Sequence, residues 1–109
     1  MNVRFGYLYR DAGNFKRFGS VIFAVDGDVD LAALRNEIRG SLIDSGFFVA
    51  EEVGIPRLAF ETHVRHLDHG WHEVEDISWT EEAATGGRFP YFLARLARST
   101  EGVKEVLHG

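Results

Sequence analysis

The densest run of side chains able to do chemistry lies between His63 and Glu73. His63, His66, Asp68, His69, His72 and Glu73 are six potential metal ligands within eleven residues, and they include four of the five histidines. Neutral imidazole and carboxylate suit zinc, nickel or iron. A metal site needs at least three such groups facing one point. If residues 67–70 form a turn, His66 stands opposite Trp71 and His63 opposite Val74. His63 and His72 then share a sheet face, near the diagonal. His69 sits in the turn, and Asp68 and Glu73 are candidates for a fourth ligand. The string His66-Leu67-Asp68-His69 echoes the His-x-His-x-Asp-His motif of metallo-β-lactamases. Val64 stands where that motif has histidine, and the chain is too short for that fold. One hairpin seldom turns three ligands toward one point, so the expected state is a metal-free, solvated hairpin with no cofactor. The alternative is a transition-metal protein, zinc or another, acting as a sensor or a weak metal-dependent hydrolase.

A second constellation surrounds the first turn. Asp11 and Asn14 are residues that bond local backbone. Arg10 can pair with a carboxylate such as Glu73. The functional reading is a binding edge formed by Tyr9, Arg10, Asn14 and Lys16, with Trp71 as an anchor. Gly86-Gly87-Arg88 precedes a helix-like stretch and could hold an anion, but two glycines are a weak signal. No Gly-x-Ser-x-Gly marks a serine nucleophile, and the absence of cysteine excludes a thiol nucleophile, a disulfide scaffold and a thiolate zinc finger. No catalytic residue is assigned.

These residues must be positioned by a small set of elements. Val3, Phe5, Tyr7 and Tyr9 alternate with Arg4, Gly6, Leu8 and Arg10, which predicts a strand. Residues 11–14 predict a turn, and the run from Phe18 to Val25 a second strand, with Val21, Phe23 and Val25 on one face. Asp28 or Asp30 is the expected cap of a helix whose stripe is Leu31, Leu34, Ile38 and Leu42. Gly46 suits its C-terminal end. Phe47, Phe48 and Val49 read as buried. Leu58, Phe60, Thr62 and Val64 alternate and predict a third strand. Trp71 to Trp79 predicts a fourth, although its alternation is poor. Pro90 suits the first turn of a last helix, with Phe89, Phe92, Leu93 and Leu96 at helical spacing. Residues 99–109 are a loosely attached tail or a short helix. The order ββαββα predicts an α+β fold, a four-stranded antiparallel sheet with two helices on one face. Leu31, Leu34, Ile38 and Leu42 are expected to pack there with Phe92 and Leu96.

Three stretches carry a family resemblance. Tyr9-Arg10-Asp11-Ala12-Gly13-Asn14-Phe15-Lys16 is similar to a Tyr-Arg-Asp-x-x-Asn-aromatic-Lys signature. Residues 47–56 and Trp71-His72-Glu73 belong to the same likeness. The chain resembles, over roughly residues 5–75, a family of short uncharacterised bacterial proteins. The resemblance implies no activity. In that family the stretch before Trp-His-Glu is mostly acidic, whereas here it is rich in histidine.

Composition bounds the rest. At 109 residues, 45% hydrophobic and 27% charged, the chain reads as a single globular domain over residues 1–109. No apolar run is long enough to span a membrane, and Met1-Asn2-Val3-Arg4-Phe5-Gly6 lacks the core of a secretory signal. The net charge of −5 is uneven: residues 1–20 carry +3, residues 21–87 carry −10, and residues 88–109 carry +2. That balance disfavours nucleic acid. The reading is a cytoplasmic, non-enzymatic interaction module, monomeric or homodimeric, whose partner is a protein or small ligand.

Overall fold

The alternating aromatics at the start of the chain form strand β1, Asn2–Arg10, which turns back into β2, Lys16–Phe23. The computed structural model describes residues 1–11, 13–27, 29–43, 46–58 and 71–108, with side chains through residue 99. Helix α1 spans Leu31–Gly40, β3 spans Phe47–Val49, and a 3₁₀ turn spans Ala50–Val53. Strand β4, Trp71–Thr80, and helix α2, Phe89–His108, complete the order. The sheet runs β2-β1-β4-β3, with every pairing antiparallel.

The α+β class and the four-stranded antiparallel sheet match expectation; the strand assignment needs correcting. Among the described residues the third strand is Phe47–Val49. Three residues are too few to display a period, so this strand left no alternation to read. Leu58 is outside any strand, and the remainder of the expected run lies outside the described residues.

Strand β1 lies at the centre of the sheet, and its inward row Val3, Phe5, Tyr7 and Tyr9 is fully buried. Val21 and Phe23 of β2, Ile77 of β4 and Phe48 of β3 extend that row sideways. Helix α1 covers it with Leu34 and Ile38, and α2 with Phe89, Phe92 and Leu96. Both helices therefore sit on one face. The ring of Phe92 lies 4.9 Å from Phe5 and stacks 4.5 Å from Phe23. Each such buried side chain contributes about 1.5–3 kcal/mol through removal from water.

Local chemistry sets the helix ends. Of the two candidate caps, Asp30 is the one used, its carboxylate accepting from the N–H groups of Ala32 and Ala33 at 3.0 and 3.3 Å. The helix stops at Gly40, earlier than Gly46. The Ser41 hydroxyl donates to the Glu37 carbonyl at 3.1 Å there, and Leu42 is buried from the turn beyond. Pro90 lies in the first turn of α2, where its missing N–H costs nothing. The backbone of α2 continues as helix through His108, so the ambiguous end of the chain is helical.

Strand β4 contains a bulge. Gly6 faces Asp76 but Tyr7 faces Val74, leaving Glu75 as an extra residue. A Cβ on Gly6 would stand 2.5 Å from Oε2 of Glu75 and 3.3 Å from the Asp76 carbonyl, so a side chain there would displace the exposed Glu75 carboxylate. The bulge also shifts the alternation of β4 by one residue. His72 and Val74 line up with the inward row before it, Ile77 and Trp79 after it.

Beyond β4, the loop residues 85–88 edge β2. The N–H groups of Thr85 and Gly86 both donate to the Ile22 carbonyl at 2.9 Å. Ala24 donates to Gly87 at 2.8 Å, and Phe89 donates to Ala24 at 2.8 Å. Gly86 permits this approach, because a Cβ there would come within 2.7 Å of the Phe23 ring.

Leu34 lies in the α1 stripe against this core. Replacement Leu34→Ala is expected to cost about 2–5 kcal/mol in denaturant melts, as for other buried leucines. A loss below about half a kcal/mol would place that side chain outside the core.

Candidate interaction surface

The loop between β1 and β2 is built by Asp11. Its Oδ1 accepts from the N–H groups of Gly13 and Phe15 at 2.9 and 3.0 Å. Asp11 N–H in turn donates to the Phe15 carbonyl at 3.0 Å. Asn14 occupies the left-handed region at φ 67°, a conformation asparagine tolerates. Both residues serve the turn, but Asn14 does so through its backbone, donating to the Asp11 carbonyl at 3.0 Å. Its side chain does something unforeseen: Oδ1 accepts from Arg10 Nη1 at 2.5 Å. Arg10 Nε donates to Glu73 Oε2 at 2.9 Å, the pairing anticipated from sequence. Both partners are partly exposed, so this ion pair is worth about 0–1 kcal/mol and mainly sets orientation.

Strand register divides the remaining candidates between two faces. Lys16 pairs with Arg10, and Phe18, Leu8 and Glu73 form the neighbouring row with Phe47. Trp71 shares the face of Glu73, its ring 5.4 Å from that of Phe47. Arg10, Lys16 and Trp71 therefore lie together on the outer face, opposite the helices. Tyr9 does not join them. It stands one position from Arg10 along β1, so it points inward, and at 1% exposure it contributes no surface.

Two surface rings escaped the sequence reading. Phe15 is 68% exposed and Phe18 59% exposed, and both flank the exposed Lys16 and Arg17. The signal for Phe18 was parity. Val21 and Phe23 define the inward face of β2, and Phe18 falls on the other. No such signal marks Phe15, which sits in the turn.

The metal hypothesis loses two members. His63, His66, Asp68 and His69 lie outside the described residues. His72 is fully buried among the rings of Tyr7, Tyr9 and Phe48, at 5.9, 5.4 and 5.9 Å. Its Nε2 accepts the N–H of Leu58 at 3.0 Å, which uses the lone pair a metal would need. Glu73, the next residue, points to the opposite face and pairs with Arg10. The two cannot serve one ion. Val49 stands opposite Trp71, and Tyr7 opposite Val74, where the sequence reading put His66 and His63. Among the described residues no three histidine, aspartate or glutamate side chains gather. The Gly86-Gly87-Arg88 anion site is also committed elsewhere, its backbone to β2 and Arg88 to an ion pair with Asp26.

Next to His72, the Tyr7 hydroxyl donates to the Pro56 carbonyl at 2.5 Å. Burial pushes its pKa above the usual 10.0. These two bonds hold residues 56–58 across the inner face. Searches of protein-family models, curated proteins and solved structures found no match to the chain.

Three outcomes follow from this corner of the fold. Replacing His72 by leucine leaves the Leu58 N–H without its acceptor, a loss of about 1–3 kcal/mol, with faster amide exchange at Leu58. Zinc titration is expected to leave the His72 imidazole resonances in place. Tyr7 holds its proton more tightly folded than unfolded. Its contribution is complete below the unfolded value near 10.0 and is lost as pH rises toward the folded one. Alkaline melts of Tyr7→Phe should show a shallower decline than those of the parent.

Proposed function

We propose that the chain is a non-enzymatic, cytoplasmic protein-interaction module that contacts its partner through the hairpin end of the sheet. The observation that carries this reading is the pair of exposed rings, Phe15 and Phe18, bracketing the exposed cations Lys16 and Arg17. Large exposed aromatics beside basic groups are unfavourable on a surface that meets only water, and aromatic and arginine side chains are what protein interfaces bury. Arg10 is held by Glu73 and Asn14 in a fixed orientation on the same face, and Trp71 and Phe47 extend the aromatic surface. The polar groups here serve the turn and the sheet, and none forms a nucleophile–base pair among the described residues. No helix among the described residues is long and apolar enough to cross a membrane.

A photo-cross-linking side chain placed at Phe15 tests the reading in the native host. Discrete adducts are expected at position 15 and none at Tyr91, an equally exposed ring on α2. Equal labelling at both positions, or none at position 15, would overturn it.

A further inference from the structure

The two edges of the sheet are treated differently. On the β4 side, β3 covers Trp71, His72 and Glu73. Further along, α1 closes in, and Arg35 Nη2 donates to the Ile77 carbonyl at 2.6 Å. Arg35 also lies 3.9 Å from Asp76. The groove left between α1 and β4, about 310 Å³, is lined by Arg35, Arg39, Glu73 and Asp76, charges of both signs that discourage another strand.

The β2 side is covered only in part among the described residues. Ile22 and Ala24 turn their backbone groups outward to residues 85–89. Outward and ladder positions alternate along an antiparallel strand, and β2 pairs with β1 without a bulge. Ser20, Phe18 and Lys16 therefore also direct their N–H and C=O groups away from β1. Among the described residues nothing accepts or donates to these groups. The open stretch carries no proline and no bulge, two of the devices that usually protect an edge, and its two charges stand together at one end. Its side chains are Lys16 and Phe18 toward the outer face and Arg17 toward the other. Neither cation has a carboxylate partner among the described residues.

We propose that this open stretch of β2 takes up an extended acidic segment of a partner protein as a fifth strand. The proposal rests on the module reading and names its mode and chemistry. Backbone groups of Lys16, Phe18 and Ser20 supply the ladder, about five residues of partner long. Adjacent acidic residues on the incoming strand meet Lys16 on one face and Arg17 on the other. An apolar residue on the outer face covers Phe18. The net +3 of residues 1–20, in a chain that is otherwise acidic, favours such a partner over a basic one.

A displayed library of short random peptides, panned on the whole chain, provides the test. Enriched peptides are expected to carry adjacent aspartate or glutamate beside β-branched or aromatic residues. Their binding should shift the amide resonances of Lys16, Phe18 and Ser20. Ser20→Pro removes one outward N–H and spares the ladder to β1, and should weaken binding by about tenfold or more. The double variant K16E/R17E should lose the acidic peptides even if Ser20→Pro fails to fold. Absence of enrichment, or peptides that bind K16E/R17E as tightly as the parent, would overturn the proposal. So would a dimer of the chain alone that K16E/R17E leaves intact and whose interface protects the amides of Phe18 and Ser20, since a second copy would then fill the edge. Cross-links at position 15 that persist in K16E/R17E would leave the module reading standing while the edge mode fails.

Discussion

Everything in this fold answers to one row of side chains on β1. Val3, Phe5, Tyr7 and Tyr9 present three aromatic rings and a valine along a single face of a central strand. A strand that apolar on one side cannot remain open to water. Neighbouring strands widen the surface with Val21, Phe23, Phe48 and Ile77, and two helices close over it. The packing of strands and helix lets Phe5 meet Phe23, Phe48 and Phe92 edge-on, an arrangement aromatic quadrupoles prefer.

The same row brings a polar cost at the hairpin end. Tyr7 and His72 place a hydroxyl and an imidazole where water is excluded. The chain meets both from one short stretch: the Pro56 carbonyl accepts from the tyrosine and the Leu58 N–H donates to the histidine. Pro56 has no N–H of its own to satisfy, and Leu58 then packs over Gly19. Residues 56–58 are irregular in conformation yet act as a polar lid on the aromatic row. A histidine that looked like one ligand among several is instead part of this closure.

Much of the architecture was legible where a period was long enough to count. The alternation of β1 and the stripe of α1 are expressed over nine and ten residues, and both elements lie where expected. The arginine–carboxylate pair was legible from charge and proximity to the turn. What stayed hidden depended on distant partners. Strand β3 is three residues long and exists because β4 offers it an edge. The poor alternation of β4 had a cause no local pattern could reveal, since the phase change at Glu75 is a bulge defined by the pairing with Gly6 and Tyr7 of β1. Gly86-Gly87-Arg88 read as a weak anion site, yet the backbone of this loop pairs with β2. In the candidate site, the alternation of β1 already separated Tyr9 from Arg10 onto opposite faces, and the expected binding edge joined them against it. The histidine run left a metal site open as the alternative, but His72 and Glu73 alternate and are each occupied.

The central place of β1 also governs the timing of assembly. Its hairpin with β2 closes over a five-residue loop, a contact that forms early and locally. Its other neighbour, β4, begins about sixty residues later in the chain. During synthesis the most aromatic strand of the protein therefore waits with one flank paired and the other bare. Over that interval the nascent chain offers an unpaired edge to chaperones and to other unfinished copies. Burden on the folding machinery should thus depend less on final stability than on how quickly β4 emerges to seal that flank.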